Sequence, residues 1–273
     1  MQIGVIERFR ADRPLFQKAR GYGLRLCQLS PGNEGQCTEE TAERVCLASA
    51  EAGVRVCSVI GRGPGATVWN FTDGPSTIGL VPPEYRAARV EALKKIAAFA
   101  GRIGAKALVS HCGFIPENPK DPLYEGTREA VREVTECCAA HGLEFRFETG
   151  QETPVVLLRL IEDIGASNLF INLDPANLIL YGKANPIDAL DIIGPYVHSL
   201  HVKDGFYPTD GRRLGKEARV GEGRVDFPRF MARLKEIGFD GELIVEREIK
   251  EGEDKDRDIR ETIERLKSWG GVV

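Results

Sequence analysis

Short apolar and β-branched runs alternate with longer amphipathic stretches along the whole chain. The short runs predict strands over 2–6, 24–30, 55–61, 106–112, 143–148, 169–174, 197–203 and 242–247. The longer stretches predict helices over 12–21, 39–53, 84–103, 124–141, 153–165, 186–194, 226–238 and 254–270. In 84–103, Ala88, Val90, Leu93, Ile96, Ala97 and Phe99 share one broad apolar face. In 226–238, Phe227, Phe230, Met231, Leu234 and Ile237 recur at helical spacing, and Gly238 ends the run. Thr153-Pro154 and Asn185-Pro186 read as a capping residue followed by Pro at the first helical position.

Eight strand–helix units in 273 residues match a (β/α)8 TIM barrel of the α/β class, running as a single domain over 1–273. An open doubly wound sheet would carry a Gly-rich phosphate turn after its first strand. Glu7-Arg8-Phe9-Arg10 stands there instead. Two long segments, 62–83 and 204–225, follow the third and seventh strands, so a barrel puts both at its C-terminal face, where active sites lie. The first holds Trp69 and Phe71 and is placed to lid a site; the alternative is a floppy surface insertion.

Composition narrows the function classes. A net charge of −4 argues against nucleic acid as a partner, because phosphate neutralisation calls for a basic face. The seven cysteines are scattered and form no C-x-x-C pair, a pattern of reduced thiols rather than of a disulfide framework. The N-terminal apolar run is broken at once by charge, and no apolar stretch reaches the ~20 residues of a membrane span. The expectation is a cytoplasmic protein with neither a membrane nor a nucleic-acid partner.

Four polar groups then stand out at the ends of four successive predicted strands: Glu148, Asp174, His201 and Glu246. Each alone has an ordinary structural explanation. Three acids and an imidazole buried together need neutralising, and one divalent ion does so directly. The oxygen-rich set favours Mn²⁺, with Mg²⁺, Co²⁺ or Zn²⁺ as alternatives. Arg146, Asn172 and Ser199 lie two residues before their respective ligands, so strand alternation points them inward one layer deeper, as candidate partners that orient the ligands.

Five segments resemble the xylose isomerase-like barrel superfamily, specifically its sugar phosphate isomerase/epimerase group. They are Phe147-Glu148-Thr149-Gly150-Gln151-Glu152-Thr153, Asn172-Leu173-Asp174-Pro175-Ala176-Asn177-Leu178, His201-Val202-Lys203-Asp204, Gly221-Glu222-Gly223-Arg224-Val225-Asp226-Phe227 and Ile244-Val245-Glu246-Arg247-Glu248. The resemblance implies that Glu148, Asp174, His201 and Glu246 bind the metal, and that Glu148 and Glu246 double as catalytic acid and base. The implied chemistry is isomerisation or epimerisation of a sugar or sugar phosphate, by proton abstraction next to a carbonyl through a metal-stabilised enediolate. The chain departs from the group at Asn177, where many of its epimerases carry His; an amide does not shuttle protons near neutral pH. Asn177, His111, Lys203, Gln151 and Arg219 are candidate substrate contacts, with Glu152 beside Gln151 at the rim. Arg219 belongs to a basic segment with Arg212, Arg213, Lys216 and Arg224, suited to a phosphate or carboxylate.

The expected partner is a small-molecule carbohydrate, and a homo-oligomer is compatible with the sequence. A keto-polyol or keto-sugar dehydratase resembling inosose dehydratase would share the metal site and first step. A DNA-repair endonuclease of the same superfamily would hold several zinc ions through many His, whereas this chain has four His and is acidic. A non-catalytic sugar-binding barrel would not need the full quartet.

Overall fold

A computed structural model describes residues 1–9 and 14–272. Eight parallel strands close in the order β1 (Gln2–Arg8), β10 (Glu242–Val245), β7 (Val197–Val202), β6 (Leu169–Leu173), β5 (Glu144–Glu148), β4 (Ala107–Ser110), β3 (Arg55–Ile60), β2 (Leu26–Ser30) and back to β1. The fold is a (β/α)8 TIM barrel, and each expected strand lies where the apolar runs put it. Around it lie α1 (Gln17–Gly21), α2 (Glu39–Ala52), α3 (Gly74–Thr77), α4 (Pro83–Arg102), α5 (Pro122–Ala140), α6 (Pro154–Ile164), α7 (Pro175–Leu180), α8 (Pro186–Ile193), α9 (Phe227–Glu236) and α10 (Glu253–Ser268). The helix expected over 12–21 begins at Gln17; residues 12 and 13 lie outside the described residues. Thr153 caps α6 through Val156 N–H, and Asn185 caps α8 through Ile187 N–H, as their sequences announce. The seven cysteines are all free.

Alternation along the strands separates two interiors. Outward-facing Ile3, Val5, Leu29, Leu108, Phe145, Phe147, Leu200 and Leu243 join the helices in one continuous core. Inward-facing Leu26, Cys57 and Ile244, with Ile6, form a small apolar plug of their own. The rest of the inner layer is polar and largely paired. Arg146 donates from Nε to Glu144 Oε2 at 2.7 Å and from Nη1 to Glu242 Oε2 at 2.9 Å. Ser199 Oγ donates to Asn172 Oδ1 at 2.6 Å. Arg146, Asn172 and Ser199 therefore point inward as alternation requires, but they bond to this lower layer and not to the candidate ligands.

Both long segments are built structure. Buried Arg89 of α4 donates to three backbone carbonyls of 62–83: Pro64 (3.0 Å), Gly79 (2.7 Å) and Ala66 (2.7 Å). Gly63 permits that approach, since a Cβ there would sit 2.4 Å from Arg89 Cγ. The segment is stapled down rather than floppy. In 204–225, the buried Asp204 carboxylate accepts from the backbone N–H groups of Gly205, Gly221, Gly223 and Val225 at 2.8–3.1 Å. That hub explains the Gly221-Glu222-Gly223 spacing: a Cβ at Gly223 would lie 2.1 Å from Asp204 Oδ1. A two-residue antiparallel ribbon, β8 (Asp204–Gly205) with β9 (Glu217–Ala218), completes the segment. Phe71 N–H donates to Arg212 O, joining the two segments across the barrel mouth.

Candidate functional site

The barrel brings Glu148, Asp174, His201 and Glu246 to one point at its C-terminal mouth. Their ligand atoms all lie within 4.8 Å of one another, and only Glu246 is more than marginally exposed. Each is fixed by local chemistry. Asp174 ends β6 and caps α7, its Oδ1 accepting from Asn177 N–H at 2.9 Å while Oδ2 remains turned to the cluster. Thr149 ties the two strand ends together: its Oγ1 accepts from Asp174 N–H (2.8 Å) and donates to Asp174 O (3.1 Å). His201 Nδ1 faces the acids, 3.0 Å from Glu148 Oε1, 3.4 Å from Glu246 Oε2 and 3.9 Å from Asp174 Oδ2.

The other imidazole nitrogen sets the tautomer. His201 Nε2 donates to Gln28 Oε1 at 2.8 Å, and Gln28 Nε2 donates in turn to Ser58 Oγ at 3.0 Å. With Nε2 committed as a donor, a neutral His201 presents its Nδ1 lone pair to the carboxylates, the form a metal requires. Gln28 thus has the orienting role expected of the inner-layer residues, from a different strand. Its only trace in the sequence is one Gln inside the apolar run Leu26-Cys27-Gln28-Leu29.

The cluster is electrostatically strained. Burial pushes the Glu148 pKa up, but the His111 and His201 charges outweigh it and hold the carboxyl well below its usual range. Burial likewise raises Glu246, and Lys203 and His201 more than reverse this, to about 2. For Asp174 burial wins over the nearby Lys203, and the carboxyl is pushed up to about 6. Burial disfavours the His201 and Lys203 cations, yet the surrounding carboxylates keep both well above their ordinary values. Glu148 Oε2 and Asp174 Oδ2 are buried and accept no well-aligned hydrogen bond; each faces a cation, His111 Nε2 at 3.2 Å and Lys203 Nζ at 3.1 Å. Three carboxylates and the lone pair of a neutral His201 within this span are the donor set of a divalent cation with oxygen preference, which would displace those cations. The residues fit one.

The candidate substrate contacts divide by what they touch. Lys203 Nζ lies 3.1 Å from Asp174 Oδ2 and 3.0 Å from both Glu246 Oε2 and Glu248 Oε2, inside the cluster. His111 Nε2 is 3.2 Å from Glu148 Oε2, with the Trp69 ring edge-on 5.1 Å from its own. Gln151 is buried facing Tyr181, both its polar atoms without a well-aligned hydrogen bond. Asn177 is buried too, but its amide donates to Thr149 O at 3.2 Å. Arg219 sits on the rim with Nε 3.0 Å from Asp258 Oδ1, while Arg212, Arg213, Lys216 and Arg224 are exposed. Tyr181, at the end of α7, was not legible as a site residue: its OH is buried and faces Gln151 without a well-aligned hydrogen bond, and Phe71 and Phe114 pack edge-on against its ring.

A model of the xylose isomerase-like TIM barrel family matches residues 16–269. The chain belongs to this family. A family member of known structure, a xylose isomerase domain protein from Planctomyces limnophilus, is 34% identical, with a TM-score of 0.91 over 98% of this chain and 96% of that one. A D-tagatose 3-epimerase-like protein shares the fold at 20% identity and a TM-score of 0.74, over 98% and 97% of the two chains. By sequence, an uncharacterized protein of Methanocaldococcus jannaschii is 26% identical over 172 residues, 59% of this chain. That match spans 57% of the archaeal protein's length. Among the described residues no helix is long and apolar enough to cross a membrane.

Proposed function

We propose that the protein is a divalent-metal-dependent sugar isomerase or epimerase, with Glu148, Asp174, His201 and Glu246 holding the ion. One observation carries the reading: Glu148, Asp174, His201 and Glu246, from four successive strands, bring one ligand atom each within 4.8 Å of one another in a buried pocket. Polarisation of a ketose carbonyl and its neighbouring hydroxyl is the chemistry a bound Mn²⁺-like ion supplies.

The side chains supply the rest. Glu148 and Glu246 approach the cluster from different strands, and their neighbours favour the ionised form of both, so each is available as a base near neutral pH. One takes the proton from the carbon next to the carbonyl; the other, after gaining a proton from solvent or a substrate hydroxyl, delivers it to the carbon, which changes configuration when the two act on opposite faces. Lys203 holds a developing negative oxygen, and His111 positions Glu148. The stapled 62–83 segment, with Trp69 against His111, keeps water from the reacting carbon.

The test is exchange of the carbon-bound proton with D₂O, followed by NMR, on Mn²⁺-loaded protein supplied with a panel of ketoses and keto-polyols. Exchange into at least one substrate is expected, and Glu246→Gln should lower its rate about 10²–10⁴-fold. No exchange into any of them overturns the reading. Loss of water with formation of an unsaturated carbonyl replaces it with a dehydratase on the same site.

A further inference from the structure

Among the described residues, most buried side-chain nitrogen and oxygen atoms without a hydrogen-bond partner crowd into the barrel mouth. Glu148 Oε2 and Asp174 Oδ2 belong to the metal cluster. A second group does not: Gln151 Oε1 and Nε2, Glu152 Oε1 and Oε2, and the Tyr181 hydroxyl. Gln151 is 1%, Glu152 4% and Tyr181 4% exposed. Folding strips these groups of water and leaves them without well-aligned hydrogen bonds: Tyr181 faces Gln151, and the Glu152 carboxyl faces the backbone N–H groups of Gly150 and Glu152, at a cost in stability that a ligand would relieve. The rings of Phe71, from the 62–83 segment, and Phe114, from the loop after β4, pack edge-on against the Tyr181 ring.

The chemistry of the group selects its ligand. An apolar moiety would leave every one of these atoms unpaired. A phosphate would set a dianion against the Glu152 carboxyl, with Lys183 and His111 as the cations that face it. Of the basic side chains in 204–225, Arg219 is engaged with Asp258, and Arg212, Arg213, Lys216 and Arg224 are exposed. Neutral hydroxyls fit every member: Glu152 accepts through both oxygens, the Gln151 amide donates and accepts, and the Tyr181 hydroxyl does either. Two free oxygens on one carboxylate match two adjacent hydroxyls.

We propose that Gln151, Glu152 and Tyr181 form a subsite for adjacent hydroxyls of an unphosphorylated sugar, and that Glu152 selects against phosphorylated ones. This rests on the reading that the barrel takes a ketose and names the kind of ketose. Glu152 acts on binding and selectivity, away from the reacting carbon.

The experiment is calorimetric titration of the Mn²⁺-loaded full chain with D-tagatose, D-fructose and the 6-phosphate of each, on wild type, Glu152→Ala and Glu152→Gln. Thermal unfolding at pH 8 is measured on the same samples. At least one free ketose should bind wild type, and its 6-phosphate about tenfold more weakly or not at all. Glu152→Ala should weaken the free ketose about tenfold and narrow the gap to the phosphate, with Tm unchanged or raised, since no well-aligned hydrogen bond is lost. A 6-phosphate that binds as tightly as the free sugar overturns the proposal. So does a Glu152→Ala variant with an unchanged free-to-phosphate ratio, a lowered Tm with unchanged binding, or the absence of any binding. Deuterium exchange on the same samples separates the two claims. Binding of free ketose without exchange keeps the subsite and refutes the isomerase; exchange confined to phosphorylated ketoses does the reverse.

Discussion

The two ends of the barrel interior solve the same problem in opposite ways. Both bury charge. At the N-terminal end Arg146 lies between Glu144 and Glu242, and Ser199 reaches Asn172; Asn172 Nδ2 is the one unpaired atom of that set. At the C-terminal end Glu148, Asp174, Gln151, Glu152 and Tyr181 all keep buried atoms without a well-aligned hydrogen bond. The lower layer is satisfied by protein and serves stability. The upper layer sets three carboxylates against Lys203, His111 and His201 and leaves several polar atoms without a well-aligned hydrogen bond. Gln28 is where they meet, fixed by Ser58 below and holding His201 above.

Making the lower layer resemble the upper one should have the largest effect. Arg146→Met strands the buried Glu242 carboxylate and takes one partner from half-buried Glu144, which keeps His198, and denaturant unfolding should show a loss of about 3–5 kcal/mol. A loss below 1 kcal/mol would mean that the lower layer is not held by this pair.

The reverse change, relieving the upper layer, should appear in the pH dependence of stability. Burial pushes the Glu152 pKa from its ordinary 4.5 up to about 7, against the opposing pull of His111. A raised carboxyl stabilises the fold fully below its unfolded pKa and loses that contribution as pH rises through the folded one. Wild type should therefore lose about 3 kcal/mol relative to Glu152→Gln between pH 4.5 and 8, compared at saturating Mn²⁺. Parallel pH profiles for the two proteins would show that Glu152 is not a strained, unpaired acid.

The smallest effect is expected at the link. Gln28→Leu leaves the His201 ring free to turn and should weaken Mn²⁺ binding about 10–100-fold by titration. Unchanged affinity would show that Gln28 does not set the tautomer.

The parts of this comparison differed in how far the sequence revealed them. The strands were legible because alternation and apolar runs are local signals, and the four ligands because like groups recur at successive strand ends. Asp174-Pro175 carries the same cap-then-Pro signal as Thr153-Pro154, yet α7 was missed because Asp174 already stood out as a ligand. The Asp204 hub and the Arg89 staple use backbone partners from 10 to 25 positions away in sequence, which no local pattern exposes. Arg146 was legible as inward-facing but not as the partner of Glu242, because that pairing crosses from β5 to β10. Tyr181 gained meaning only when α7 placed it beneath Phe71 and Phe114.

The central claim is that the upper layer is completed by one divalent ion. Metal analysis of the purified protein, paired with its melting temperature before and after EDTA, tests it directly. About one Mn²⁺-like ion per chain is expected, with a Tm lowered by EDTA and restored by Mn²⁺, and with both responses weakened in Glu246→Gln. Wild-type protein with no bound metal, and no stabilisation by any divalent ion, would contradict it.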